Sequence, residues 1–198
     1  MPINRFGDYD KVSGYGNYKA LPKGAYVMKI MGAKVQQNSI GQYVEISMDI
    51  AEGEYANFYA DSYRSNKNEN KKWGCKYLLN VPNDDGTEKD GWTKRKFKTF
   101  TEALEESNAG YHFDWDETKF KGKLIGGLFH IEEYERNDGK IAQFTKIKNV
   151  CSVDKLRSGD YKLPEDKLLA RKPVPQDADG FLDIPADLKD GEEELPFD

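Results

Sequence analysis

Histidine, cysteine and long apolar runs are what this chain has least of. Its two histidines, His112 and His130, have no cysteine or carboxylate nearby at metal-ligand spacing, which argues against a zinc site. Two cysteines, Cys75 and Cys151, make no disulfide framework and read as reduced, buried thiols. No serine or cysteine lies in a nucleophile motif. Gly14 and Gly16 lack the preceding strand and following helix of a phosphate loop, so they read as turn chemistry. No charged-then-apolar leader opens the chain and no apolar run approaches membrane length. A soluble, intracellular protein with no membrane partner is expected. Apolar residues are scarce too, at 37% against 33% charged, so part of the 198-residue chain is expected to stay unpacked beside one domain with a core.

Aromatic residues and a divided charge stand out instead. Aromatics reach 13%, with twelve tyrosines. From Val174 to Asp198 nine acids oppose the single Lys189, a balance of −8, so the chain's net −5 leaves +3 on residues 1–173. A mildly basic body with an acidic tail is a different object from a uniformly acidic protein.

The body is organised around residues 24–53. Val44, Ile46, Met48 and Ile50 alternate with Tyr43, Glu45, Ser47 and Asp49, the period of a half-buried antiparallel strand. The strand before it places Tyr26, Met28 and Ile30 on one parity and Ala33 and Val35 on the other. Gly32 sits where the parity changes, which predicts a bend or bulge. Residues 38–41 supply the turn. A third strand is expected over Tyr55–Arg64, with Ala56, Phe58 and Ala60 on one face and Tyr55, Tyr59 and Tyr63 on the other. Trp92–Asn108 has a helical period through Phe97, Phe100, Ala103 and Leu104, with Thr93 as N-cap and Asn108–Gly110 as the stop. Two last strands, Lys123–Glu135 and Lys140–Val153, flank Asn137-Asp138-Gly139, a hairpin signal. The Gly126-Gly127 pair suggests a strand closing against another backbone.

Five strands with a helix between the third and fourth is the order of an OB-fold, so the expected class is mainly β, an OB-fold-like barrel. The expected domains are an irregular arm over 1–22, the barrel over 23–160 and a disordered Pro-rich acidic tail over 161–198.

Carboxylate chemistry is weakly signalled. Asp114, Asp116 and Glu117 offer a magnesium site for phosphodiester cleavage, or a solvated face. Glu132, Glu133 and Glu135 read as edge protection. The stronger pattern runs from Tyr63 to Lys98. It interleaves Arg64, Lys67, Lys71, Lys72, Lys76, Lys94, Arg95, Lys96 and Lys98 with Tyr63, Trp73, Tyr77, Trp92 and Phe97. Single-stranded nucleic acid needs cations for its phosphates and flat rings for its bases. Phe97 falls in the helix's apolar stripe and reads as core; Trp73 and Trp92 are open to either role. Lys94, Arg95, Lys96 and Lys98 at the expected helix start oppose its dipole. They are either screened by solvent or gathered to attract phosphate.

The final residues, Glu192-Glu193-Glu194-Leu195-Pro196-Phe197-Asp198, resemble the acidic tail with terminal Pro-Phe of bacterial single-stranded DNA-binding proteins, with Asp198 added after the phenylalanine. The run from Trp92 through Phe97, Glu105-Glu106-Ser107-Asn108, Gly122-Lys123 and Glu132-Glu133-Tyr134 to Ser152-Val153-Asp154-Lys155 resembles a family of phage proteins of Gram-positive hosts associated with replication and recombination. The resemblance implies a non-enzymatic single-stranded DNA-binding protein without cofactor, in the cytoplasm of an infected bacterial host. Its tail would engage replication or recombination proteins through Glu192, Glu193, Glu194, Leu195, Pro196 and Phe197, and a homo-oligomer stays open. The alternative is a phage protein that engages or inhibits a host factor through the acidic segment. A nuclease using Asp114 and Asp116 is the third reading.

Overall fold

Alternation in residues 24–53 becomes two long antiparallel strands, β1 (Ala25–Asn38) and β2 (Gly41–Ile50), in a computed structural model that describes residues 20–39 and 41–170 together with Gly7 and Tyr9. The face changes where the sequence marks it. The register shifts between Ile30 and Gly32, so Met31 is the extra residue of a bulge. Met28 and Ile30 before it, and Val44, Ile46, Met48 and Ile50 opposite, are buried. Beyond the bulge Ala33 packs against the core, while Val35 is exposed.

The third strand lies elsewhere than alternation put it. Residues 55–64 turn into α1 (Phe58–Ser65), and β3 is Lys76–Asn80. Tyr55, Tyr59 and Tyr63 recur every four residues, which suits one side of a helix as well as one face of a strand. A distant residue favours the helix. Asn57 at the N-cap has φ 62 and provides no side-chain cap. Asp49 of β2, only 3% exposed, takes its place: Oδ1 accepts from Tyr59 N at 2.9 Å and Oδ2 from Ala60 N at 3.0 Å.

β4 (Leu124–Glu135) and β5 (Ile141–Cys151) form the second hairpin, close to expectation. The five strands make one antiparallel sheet in the order β3-β2-β1-β4-β5. Leu124–Leu128 of β4 lie against Ala25–Lys29 of β1, and β4 is packed closely at two glycines, Gly127 towards β1 and Gly126 towards β5. A Cβ at Gly127 would stand 2.7 Å from Met28 Cγ, and one at Gly126 2.8 Å from Cys151 Sγ. The sheet curls so that β3 and β5 come near each other, but among the described residues no ladder joins them; it is open.

Helix α2 (Glu88–Glu106) packs against β3, β4 and β5 with Phe97, Phe100, Ala103 and Leu104 buried. Its start corrects the sequence reading. The N-cap is Thr87, whose side chain accepts from Asp90 N at 3.1 Å, not Thr93. Glu88 and Asp90 occupy the first turn with the favourable sign, and Lys94, Arg95 and Lys96 lie beyond it. The phosphate-attracting helix terminus inferred from those cations is therefore absent.

Two further elements follow. Val153, expected to end the last strand, instead opens α3 (Val153–Ser158), capped by Ser152 and closed by left-handed Gly159. Residues 165–167, assigned by composition to the tail, run along β4 where β1 has left it. Lys167 N donates to Ile131 O, and Glu133 N to Lys167 O, both at 2.9 Å. One compact unit accordingly extends to Leu168. Glu132 and Glu133, expected to guard an edge, are buried there. The arm over 1–19, apart from Gly7 and Tyr9, and the tail from 171 lie outside the described residues, and with them Glu192, Glu193, Glu194, Leu195, Pro196 and Phe197.

Candidate nucleic-acid interface

Where β3 and β5 face each other, a groove of about 470 Å³ opens. Four of the cations and rings singled out from sequence line it: Trp73, Lys76, Tyr77 and Lys96. Trp73 is half-buried and fixed, its indole Nε1 donating to Met48 O at 2.7 Å. Tyr63 of α1 adds its ring 5.6 Å away, with Lys71 Nζ 4.5 Å over the Tyr63 ring. Asp49 thus serves this wall indirectly, because the helix that it caps carries Tyr63.

The lysines of the groove fall into two kinds. Lys76 is held by Glu45 at 2.8 Å. On β5, Lys146 is held by Glu132 at 3.2 Å, and Glu132 in turn meets His130 Nε2 at 3.1 Å. Burial acts to raise the Glu132 carboxyl, but the hydrogen bond from Lys146 and the charges of Lys146, Lys167 and His130 outweigh it and lower its pKa. Lys96 and Lys148 have no carboxylate partner among the described residues. Loss of solvation, and then the neighbouring Lys148, pushes the Lys96 pKa down. Two ammonium groups that repel one another thus share the lining of a groove that also holds Trp73 and Phe144.

The remaining sequence candidates are dispersed. Tyr77 is core: it is buried, stacks on Phe100 at 5.8 Å and 14°, and burial pushes its pKa to about 12. It floors the groove and offers no free stacking face. Lys94 pairs with Asp84 of the loop before α2 and, at 3.1 Å, with Asp90 in the first turn of α2. Arg64 pairs with Asp61 at 2.7 Å. Lys72 is exposed. Trp92 is 62% exposed on α2, with Arg95 4.5 Å over one face of its ring.

β5 supplies what the sequence reading missed. Phe144, Lys146 and Lys148 line the groove opposite Trp73 and Lys76. Their spacing, every second residue on a strand, places all three together. The carboxylates of the third reading are committed to their own loop. Asp114 pairs with Lys119, and Asp116 Oδ1 accepts from Thr118 N at 3.0 Å. Among the described residues no group of three or more His, Cys, Asp or Glu side chains is placed to hold a metal ion. None of the described helices is long and apolar enough to cross a membrane. Compared with known proteins, the chain matches no family model and no curated protein.

Proposed function

We propose that the chain is a sequence-tolerant, non-enzymatic single-stranded DNA-binding protein of phage replication or recombination, and that the open sheet is an OB-like barrel parted between β3 and β5. The strand order β3-β2-β1-β4-β5, with a helix between β3 and β4, supports this reading, because an OB barrel cut at that seam has this order. The observation that carries it is the pair Lys96 and Lys148, left without counter-ions in a groove walled by Trp73 and Phe144. Phosphate supplies the missing charge, and the rings supply contacts that every base satisfies. Neither interaction reads sequence. The acidic segment from Val174 to Asp198 completes the proposal as a recruiting tail for partner proteins, with Leu195 and Phe197 as its apolar hook.

The test is an electrophoretic mobility titration with single- and double-stranded oligomers, on wild type and on Lys96→Glu/Lys148→Glu. Single strands should bind preferentially, with a salt slope of roughly −0.7 per phosphate neutralised. The double variant should lose on the order of a hundredfold in affinity at low salt. Equal binding by the variant, or a flat response to salt, overturns the proposal.

A further inference from the structure

The groove does not end at β3. A second recess of about 170 Å³ lies beside it, lined by Asn80, Lys89, Trp92, Thr93 and Lys96. Lys96 belongs to both linings, so the two spaces share a wall and a charge. β3 links them as well: Leu78 borders the groove and Asn80 the recess, two exposed residues on the same side of the strand. Arg95 covers one face of the Trp92 ring from outside the lining of the recess, and the ring is nonetheless 62% exposed. Lys89, like Lys96, has no carboxylate partner among the described residues. Of the acids near Lys89 in sequence, Asp84 and Asp90 are engaged by Lys94, and Asp85 accepts from the amide and hydroxyl of Thr87. An open indole, an amide and two uncompensated ammonium groups repeat, on a smaller scale, the chemistry of the groove.

We infer that the recess is a second base-stacking slot, and that one nucleic-acid strand crosses the end of β3 to fill both, with Lys96 contacting the phosphate between them. This rests on the single-strand reading above and adds to it a ligand length. The strand must reach from the Trp73 wall to Trp92, so mononucleotides and the shortest oligomers fill only one slot. It also sets a path, over the β3–β5 seam and the first half of α2.

The test uses full-length protein and oligothymidylates of roughly 2 to 20 nucleotides, a span that brackets the site sizes of single OB modules. Tryptophan quenching and affinity are read against length for wild type, Trp92→Ala, Lys89→Glu and Lys148→Glu. Trp92 is exposed, so its replacement leaves the core intact. In wild type, affinity should climb with length and then level off. In Trp92→Ala it should level off at a shorter oligomer, and the longest should bind about tenfold more weakly. Lys89→Glu should do the same, through the recess alone. If Lys148→Glu weakens binding while Trp92→Ala and Lys89→Glu follow the wild-type curve at every length, the second slot is refuted and the groove stands. If wild type binds no oligomer of any length, the single-strand reading fails and this inference goes with it.

Discussion

Solvent-reaching tryptophans stand at two places on or against helix α2, and they are alike in exposure but not in the charges around them. Trp92, 62% exposed, borders Lys89 and Lys96, neither of which has a carboxylate partner among the described residues. Trp115, 78% exposed, lies parallel on Phe97 at 6.0 Å and 12°, and Phe113 joins at 5.3 Å. Around Trp115 the charges are acidic, and each named one is in use. Lys119 holds Asp114, while Asp116 accepts from both the amide and the hydroxyl of Thr118. Trp115 is the outer end of a stack that continues through Phe113 and Phe120 to Phe100. Exposure therefore does not distinguish the two rings. Uncompensated positive charge does, and it is the property a polyanion answers.

The strongest way to break this contrast is to remove the support of one side. Asp49→Ala leaves Tyr59 N and Ala60 N without their buried acceptor, and should cost about 3 kcal/mol in a urea titration. Tyr63 and with it the Trp73 wall should loosen, while the Trp115 stack stays in place. A loss below about 1 kcal/mol would show that α1 does not depend on this cap. Next in size, Trp73→Ala should weaken single-strand binding about tenfold, and Trp115→Ala should leave it unchanged. Equal losses would erase the distinction between the two aromatic regions. The smallest effect sharpens it through pH. Bound phosphate relieves the depression of the Lys96 pKa, so binding takes up a proton. At lower pH Lys96 is charged in both states and affinity is flat. As pH rises through the interval between the depressed and the ordinary lysine value, affinity should fall, by about threefold, and more than in Lys96→Arg, which does not titrate there.

How legible each part was in the sequence follows from how local its cause is. The opening hairpin was legible because burial alternates residue by residue and Met31 bulges beside a glycine. The hairpin of β4 and β5 was marked by Asn137-Asp138-Gly139, whereas of the β4 glycine pair only Gly126 meets backbone, at Cys151 O, and Gly127 meets side chains. α1 was not legible, because its cap comes from Asp49 on another element. The start of α2 was misplaced since Asp90 and Gly91 resemble loop residues, yet Asp90 is buried in the first turn and accepts from Asn83 N at 2.8 Å. α3 carries both of its signals, Ser152 and Gly159, but at six residues it is too short to show an apolar period. The strap over 165–167 depends on His130, whose Nδ1 donates to Glu165 O at 2.8 Å. Half of the groove was found from its basic, aromatic residues. The other half came from β5, some seventy positions away (about the span from Trp73 to Phe144), which only the curl of the sheet brings near.

The parted seam carries a hazard of its own. β3 and β5 are both edge strands, and Leu78, Ile141 and Phe144 are exposed along them. Such edges recruit neighbouring polypeptides into intermolecular sheets, and charged side chains are the usual deterrent. Lys76, Lys146 and Lys148 stand on these two strands, so the side chains that line the proposed groove are also the charges that guard its edges. On the proposed reading, phosphate affinity and colloidal stability would be coupled in the same ammonium groups. Replacing the lysines by alanine would remove both functions together, whereas glutamate removes affinity and keeps the guard. If the single-strand proposal holds, variants selected for weaker binding would accordingly be expected to exchange the sign of these charges, not to discard them.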